Sequence, residues 1–220
     1  MMRKVLIAEA YKMNTDYTGA KGLKVFQTLQ DIQKEDVIYI PSRLLSEVKH
    51  RHNVFVYFEL ECFPFFQKAK ELIGTNSKPK GVLRYRRITK KDHNEALLIE
   101  DVVSISLVLG KPKHVFIKRS KQKHPYHVIV TLDFGGGTMA HIEYTLADRE
   151  RIELDWSGIE QIIEFNSEEM NPILIDDTLA DGFSLRMEPE VAIRRSRPAN
   201  QELFTLLDEY RELLRGGVHL

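Results

Sequence analysis

The chain has 220 residues, 43% of them hydrophobic, enough to bury a sizeable core as one large domain or two small ones. Its 32 basic and 32 acidic residues cancel, so total charge gives no pull toward nucleic acid or an anionic membrane. The single cysteine, Cys62, excludes an intramolecular disulfide and an all-cysteine metal site, and no metal is expected; with no long apolar run and no charged-then-apolar leader, the expectation is a cytoplasmic protein that spans no membrane.

Lys4 to Ala8, KVLIA, reads as a short buried strand. In a dinucleotide-binding domain a glycine-rich turn follows such a strand, because a pyrophosphate must approach bare backbone at a helix N-terminus. Here Glu9-Ala10-Tyr11-Lys12-Met13 follows, and no helical pattern opens at Gly19 or Gly22. The phosphate cradle is missing. Lys24 to Phe26 reads as a brief strand, after which Phe26, Leu29 and Ile32 fit a short helix. Asp36 to Ile40 is a strong strand ended by Pro41-Ser42, and Arg43 to His50 is a short helix. Asn53 to Phe58, NVFVYF, is a third strand, followed by a helix over Phe65 to Ile73. Gly74 to Pro79 is a turn-rich link, and Gly81 to Ile88 is a further strand. Alternating strands and helices predict a parallel sheet with helical crossovers.

Asn94 to Gly110, NEALLIEDVVSISLVLG, has the spacing of an amphipathic helix. Leu98, Val102, Ile105 and Leu109 repeat on one stripe, widened by Ile99 and Val103. Asp92 and Asn94 suit its start, and Gly110 followed by Pro112 stops it. Glu100 and Asp101 interrupt the apolar pattern: they lie on a solvated side or line a cleft between two domains. Beyond the helix the period changes to two. His114 to Arg119, His127 to Phe134, Thr138 to Leu146, Arg151 to Trp156 and Gln161 to Phe165 read as strands of an antiparallel meander packed on one face by the helix. Gly135-Gly136-Gly137 makes a hairpin turn. Asn166 to Glu190 is loop-rich, and a last helix covers Asn200 to Arg215.

Several polar groups invite a chemical reading. His93, just before the long helix, is a surface-loop histidine or one that reaches into the cleft. His50, Arg51 and His52 form a solvated helix end or an anion clamp. Lys118, Arg119, Lys121, Lys123 and His124 form a basic loop, but interleaved aromatics and a net basic domain are lacking, so no nucleic-acid partner is expected. Cys62 stands in no nucleophile motif and reads as a small buried residue.

The order of these segments resembles the Gfo/Idh/MocA family of nicotinamide-dependent oxidoreductases over about residues 23 to 165. DVIYIPS is similar to the family strand that ends in Pro-Asn, and NVFVYFELE followed by QKAKELI is similar to its strand, Glu-Lys-Pro and helix. GVLRYRR is similar to the strand leading into the substrate domain. LLIEDVVSISLVLGKPKHV and VIVTLDFGGGTMAHIEYTL are similar to its later helix and sheet hairpin. The resemblance implies an α/β plus α+β fold: a truncated Rossmann-like domain over 1–80, then a domain over 81–220 with an open, mainly antiparallel sheet. It implies a substrate cleft at Glu59, Leu60 and Glu61, the slots of Glu-Lys-Pro, so the reacting lysine is replaced by Leu60. The catalytic histidine slot falls on Glu100 and the aspartate slot on Val103. Glu100, Asp101 and His93 are therefore the candidate catalytic groups, expected to converge on one pocket with Glu59.

The first expectation is a degenerate member without hydride transfer and without a bound cofactor. It binds a small ligand or a partner, and forms a homodimer through the outer sheet face at Ile129 and His141. The alternatives are an NAD(P)-dependent oxidoreductase acting on a sugar or polyol, and a subunit whose nucleotide site is completed by a full-length relative.

Overall fold

The structure is a computed structural model that describes residues 3–13, 22–30, 32–48, 50–74, 79–90, 95–121, 126–168, 174–175, 178–179 and 185–216. His93, Asp92, Asn94, Gly19, Lys123 and His124 lie outside the described residues.

In the first half, Val, Ile and aromatic side chains build four parallel strands: β1 (Lys4–Ile7), β2 (Leu23–Phe26), β3 (Val37–Pro41) and β4 (Val54–Tyr57). A 3-10 turn (Ser42–Val48) links β3 to β4 over most of the short helix expected from Arg43 to His50. The helix expected from Phe26, Leu29 and Ile32 does not form; residues 27–30 make bends and a turn. Three apolar residues at suitable spacing are too few to nucleate a helix that no sheet face awaits. α1 (Glu59–Cys62) and α2 (Pro64–Ile73) follow β4, with Pro64 opening α2 where its missing N–H costs nothing.

The second half starts with β5 (Gly81–Thr89), followed by α3 (Glu95–Leu109), β6 (His114–Arg119), β7 (His127–Gly135), β8 (Thr138–Leu146), β9 (Arg151–Gly158) and β10 (Ile162–Asn166). These strands form one six-stranded sheet in the order β10-β9-β5-β8-β7-β6. It is mainly antiparallel, as expected, but it is not a plain meander. β5 inserts between β9 and β8, antiparallel to the first and parallel to the second. A hairpin signal between neighbouring segments says nothing about a strand that arrives from far upstream. Gly135, Gly136 and Gly137 all take positive φ in the β7–β8 turn, which a side chain at these positions would strain.

Beyond β11 (Leu174–Ile175) and β12 (Thr178–Leu179), a paired two-stranded ribbon, the chain returns to the first sheet. α4 (Pro189–Arg195) leads into β13 (Arg197–Pro198), which pairs antiparallel with β4 and closes the order β13-β4-β3-β1-β2. α5 (Gln201–Arg215) starts at Asn200, whose side chain accepts from the Leu203 N–H at 3.1 Å. The two halves are thus interleaved. Residues 197–198 complete the first sheet, while Phe65 of α2 stacks on Phe165 of β10 with ring centroids 4.0 Å apart.

α3 is not the amphipathic rod that its spacing predicts. From Leu97 through Ser106 every residue is buried, because the helix lies between the six-stranded sheet on one side and α1, α5 and the 3-10 turn on the other. Gly110 ends it with φ +101, its N–H reaching the Ser106 carbonyl at 2.8 Å.

Candidate functional site

In a doubly wound sheet the ligand crevice lies at the carboxyl ends of the strands, where the strand order reverses. Here the order reverses at β1, which has β2 on one side and β3 on the other. The segments leaving β1, β3 and β4 meet the inner face of the six-stranded sheet at that point. Each contributes polar or charged groups: Glu9 and Lys12 after β1, the Ser42 hydroxyl and Arg43 after β3, and Glu59 after β4. Arg87 of β5, Glu100 and Asp101 of α3, and Glu150 beside β9 come from the opposite side.

Glu59 is the hub. Its Oε2 accepts from Lys12 Nζ at 2.9 Å and from Arg87 at 3.1 Å, and Arg43 donates to its Oε1. Arg87 also donates to both Asp101 oxygens at 3.0 and 3.1 Å and reaches Glu150 at 3.4 Å. Tyr85 donates to Asp101 Oδ2 at 3.1 Å. Lys12 pairs further with Glu9 and Glu150, each at 3.4 Å, and Arg43 pairs with Glu9 at 2.9 Å. Lys12, Glu59, Arg87 and Asp101 are each no more than 2% exposed. Burial alone would raise the Glu59 carboxyl. Lys12, Arg43 and Arg87 outweigh it and hold Glu59 well below the usual carboxylate range.

Glu100 is set differently. Its Oε1 accepts from the Glu59 backbone N–H and its Oε2 bonds to the Ser42 hydroxyl. Among the described residues it has no ion-pair partner. Burial, followed by the charges of Glu59 and Asp101, pushes its carboxyl up to about 8. Burial also pushes Asp101 up to about 6, against the pull of Arg87 and the hydrogen bond from Tyr85.

The predicted residues are therefore only partly brought together. Glu59, Glu100 and Asp101 converge, buried in the junction rather than on a solvated side. Leu60 and Glu61 do not join them. Successive residues of a helical turn point about 100° apart, so Leu60 enters the hydrophobic core and Glu61 turns to Arg197, 2.9 Å away. Arg197 in turn lies 4.6 Å over the Phe58 ring. Lys12, Ser42, Arg43, Arg87 and Glu150 were not singled out from the sequence. Arg87 leaves a trace there: with Leu83 and Tyr85 it falls on the inward face of a strand, where a cation demands a partner.

A 3-10 turn (Ala10–Lys12) follows β1 in place of a glycine-rich turn, and the Glu9 carboxylate just before it accepts from Arg43 at 2.9 Å. Among the described residues no group of three or more His, Cys, Asp or Glu is arranged to hold a metal. Likewise no described helix is long and apolar enough to cross a membrane.

The sequence matches no protein-family model and no curated protein. The fold does match solved structures. A protein described as an oxidoreductase from Magnetospirillum magnetotacticum MS-1 superimposes with a TM-score of 0.55 at 12% identity, over 96% of this chain and 92% of that one. The UDP-N-acetylglucosamine 3-dehydrogenase of Acidithiobacillus ferrooxidans gives 0.54 at 10% identity, over 96% and 89%. A protein described as an NADPH-dependent oxidoreductase from Desulfitobacterium hafniense gives 0.51 at 11%, over 84% of this chain but only 64% of its own. The fold is that of the Gfo/Idh/MocA-type oxidoreductases, an α/β plus α+β architecture with a shortened Rossmann-like sheet. At such identities the likeness is one of fold and carries no activity with it.

Proposed function

We propose that this chain is a degenerate member of that fold group that no longer transfers hydride and serves as a ligand-binding or partner-binding protein. The observation that supports this is the crevice at the strand-order reversal. Its space is taken by Lys12, Arg43 and Arg87 gathered on Glu59, with Glu9 beside them. The slots where the family keeps its reacting lysine and histidine hold Leu60, in the core, and Glu100, bonded to Ser42 and to backbone. Leu60 has no group that exchanges a proton, and Glu100, although pushed up to about 8, is buried with both oxygens already bonded within the chain. Calorimetric titration with NAD+, NADH, NADP+ and NADPH tests the reading. No heat of binding is expected, and a dissociation constant near micromolar, about −8 kcal/mol, refutes it.

A homodimer through the outer face of the six-stranded sheet belongs to the same proposal. That face carries Ile129, Met139 and the bonded pair Thr131–His141 on β7 and β8. Arg86 lies next to them, bridging Glu143 and Glu153. An apolar patch beside paired charges suits a two-fold contact. A second reading is favoured by the names of the fold neighbours, which include a UDP-N-acetylglucosamine dehydrogenase. Under it the chain is an NAD(P)-dependent oxidoreductase acting on a sugar or polyol, through a cofactor site rebuilt from residues other than a glycine-rich turn. The same titration separates the two, and co-purification with a longer relative would point instead to a shared nucleotide site.

A further inference from the structure

Glu100 joins three pieces of the fold with one carboxyl group. It sits on α3, the helix between the sheets, and bonds both to Ser42 in the turn after β3 and to the backbone N–H that starts α1. The cations around it are already committed. Arg43 is held by Glu9 and Glu59, and Arg87 by Asp101, Glu59 and Glu150. The groups facing Glu100 are Ser42 and Arg43 from the 3-10 turn, Tyr57 from β4, Glu59 and Cys62 from α1, Arg87 from β5, Tyr144 from β8 and Asp101 from its own helix. Three cations, Lys12, Arg43 and Arg87, then meet four other carboxylates, Glu9, Glu59, Asp101 and Glu150. A fifth negative charge here would be uncompensated as well as buried.

Ser42 and Arg43 also form one wall of an open cleft of about 370 Å³, lined as well by Ile99 of α3 and by Leu207, Asp208 and Arg211 of α5. A change at Glu100 is thus one hydrogen bond away from that cleft.

We propose that Glu100 is a proton-operated latch between the two sheets: neutral, it ties α3 to the turn after β3 and to α1, and ionised, it loosens that junction and the cleft wall. With the proton on Oε2 the carboxyl donates to the Ser42 hydroxyl while Oε1 accepts from Glu59 N–H. Ionised, it accepts from both, but as a buried charge with no ion-pair partner among the described residues, which favours openings that bring water to it. The sign follows from linkage. An unfolded glutamic acid gives up its proton near pH 4.3, whereas the folded chain keeps this one to about 8. The latch is therefore complete in acid, and its contribution is lost as pH rises through that window. The proposal stands whether or not the chain binds a nucleotide.

Carbon-13 NMR of the glutamate carboxyls in the unmodified protein tests it, together with hydrogen exchange of the Glu59 amide corrected for its intrinsic base-catalysed rate. One glutamate is expected to titrate near pH 8, and its signal should be missing in Glu100→Gln. Protection of the Glu59 amide should fall about tenfold or more from pH 6.5 to pH 9 in the unmodified chain, and stay level in Glu100→Gln, whose amide keeps both bonds at any pH. No glutamate titrating above pH 7, or an equal loss of protection in both proteins, overturns the latch. Should Glu100→Gln fail to fold, the unmodified protein decides alone: the latch stands only if amide protection falls as pH rises toward the carboxyl midpoint and levels off above it.

Discussion

Replacing Arg87 with Met removes the cation that joins the two halves of the molecule while keeping most of the side-chain volume. Asp101 loses its only ion-pair partner among the described residues and keeps just the Tyr85 hydroxyl; Glu59 retains Lys12 and Arg43. Breaking a buried pair by removing one partner costs about 3–5 kcal/mol, since the other charge is left without compensation. With a urea slope of about 2 kcal/mol per molar, the unfolding midpoint should drop by about 1.5–2.5 M. The loss should depend on pH. Asp101 is pushed up to about 6 with Arg87 present, and higher once Arg87 is gone. Between pH 6 and 7.5 the variant therefore holds a proton that the unmodified chain has released. That adds about 1.4 kcal/mol of penalty per pH unit, about 2 kcal/mol in all, which vanishes again below pH 6. Arg87→Met combined with Asp101→Asn removes both charges and leaves Tyr85 an acceptor, so the pair should be less harmful than the sum of the singles by about 2 kcal/mol. Urea unfolding followed by circular dichroism at pH 5 and 7.5 measures all of these. A single-variant cost below about 1 kcal/mol, or one that does not change with pH, would refute the picture of a desolvated ionic junction.

Ile129→Glu sets like charges against each other across the proposed two-fold axis and should release monomers; light scattering should move from twice the 25.6 kDa chain mass to the chain mass itself. An unmodified protein that already scatters as a 25.6 kDa particle at micromolar concentration leaves that face simply exposed. Asn200→Ala removes the acceptor for the Leu203 N–H at the start of α5 and should cost about 1 kcal/mol in urea unfolding. No measurable change would mean that water serves that end of the helix equally well.

How the strands are spaced could be read locally. Val, Ile and aromatic runs marked β1, β3 and β4, and the period-two segments marked β7, β8 and β9 with their faces correctly sorted. The missing glycine turn after β1 was equally plain, because a phosphate cradle is a local motif. What periodicity does not contain is which element covers which face. α3 shows one apolar stripe over an otherwise mixed sequence, yet it is buried from Leu97 through Ser106 because sheet and helices meet on both sides of it. Burial of Glu100 and Asp101 follows from that enclosure and from nothing in their neighbours. The placement of β5 between β8 and β9, and of β13 against β4, depends on pairings dozens of residues apart. The ionic junction itself belongs to the tertiary structure. Lys12, Glu59, Arg87 and Asp101 are scattered over about ninety residues of sequence, and only the packing of two sheets around one helix leaves each of them a single compensating partner set, the condition for charge to stay buried.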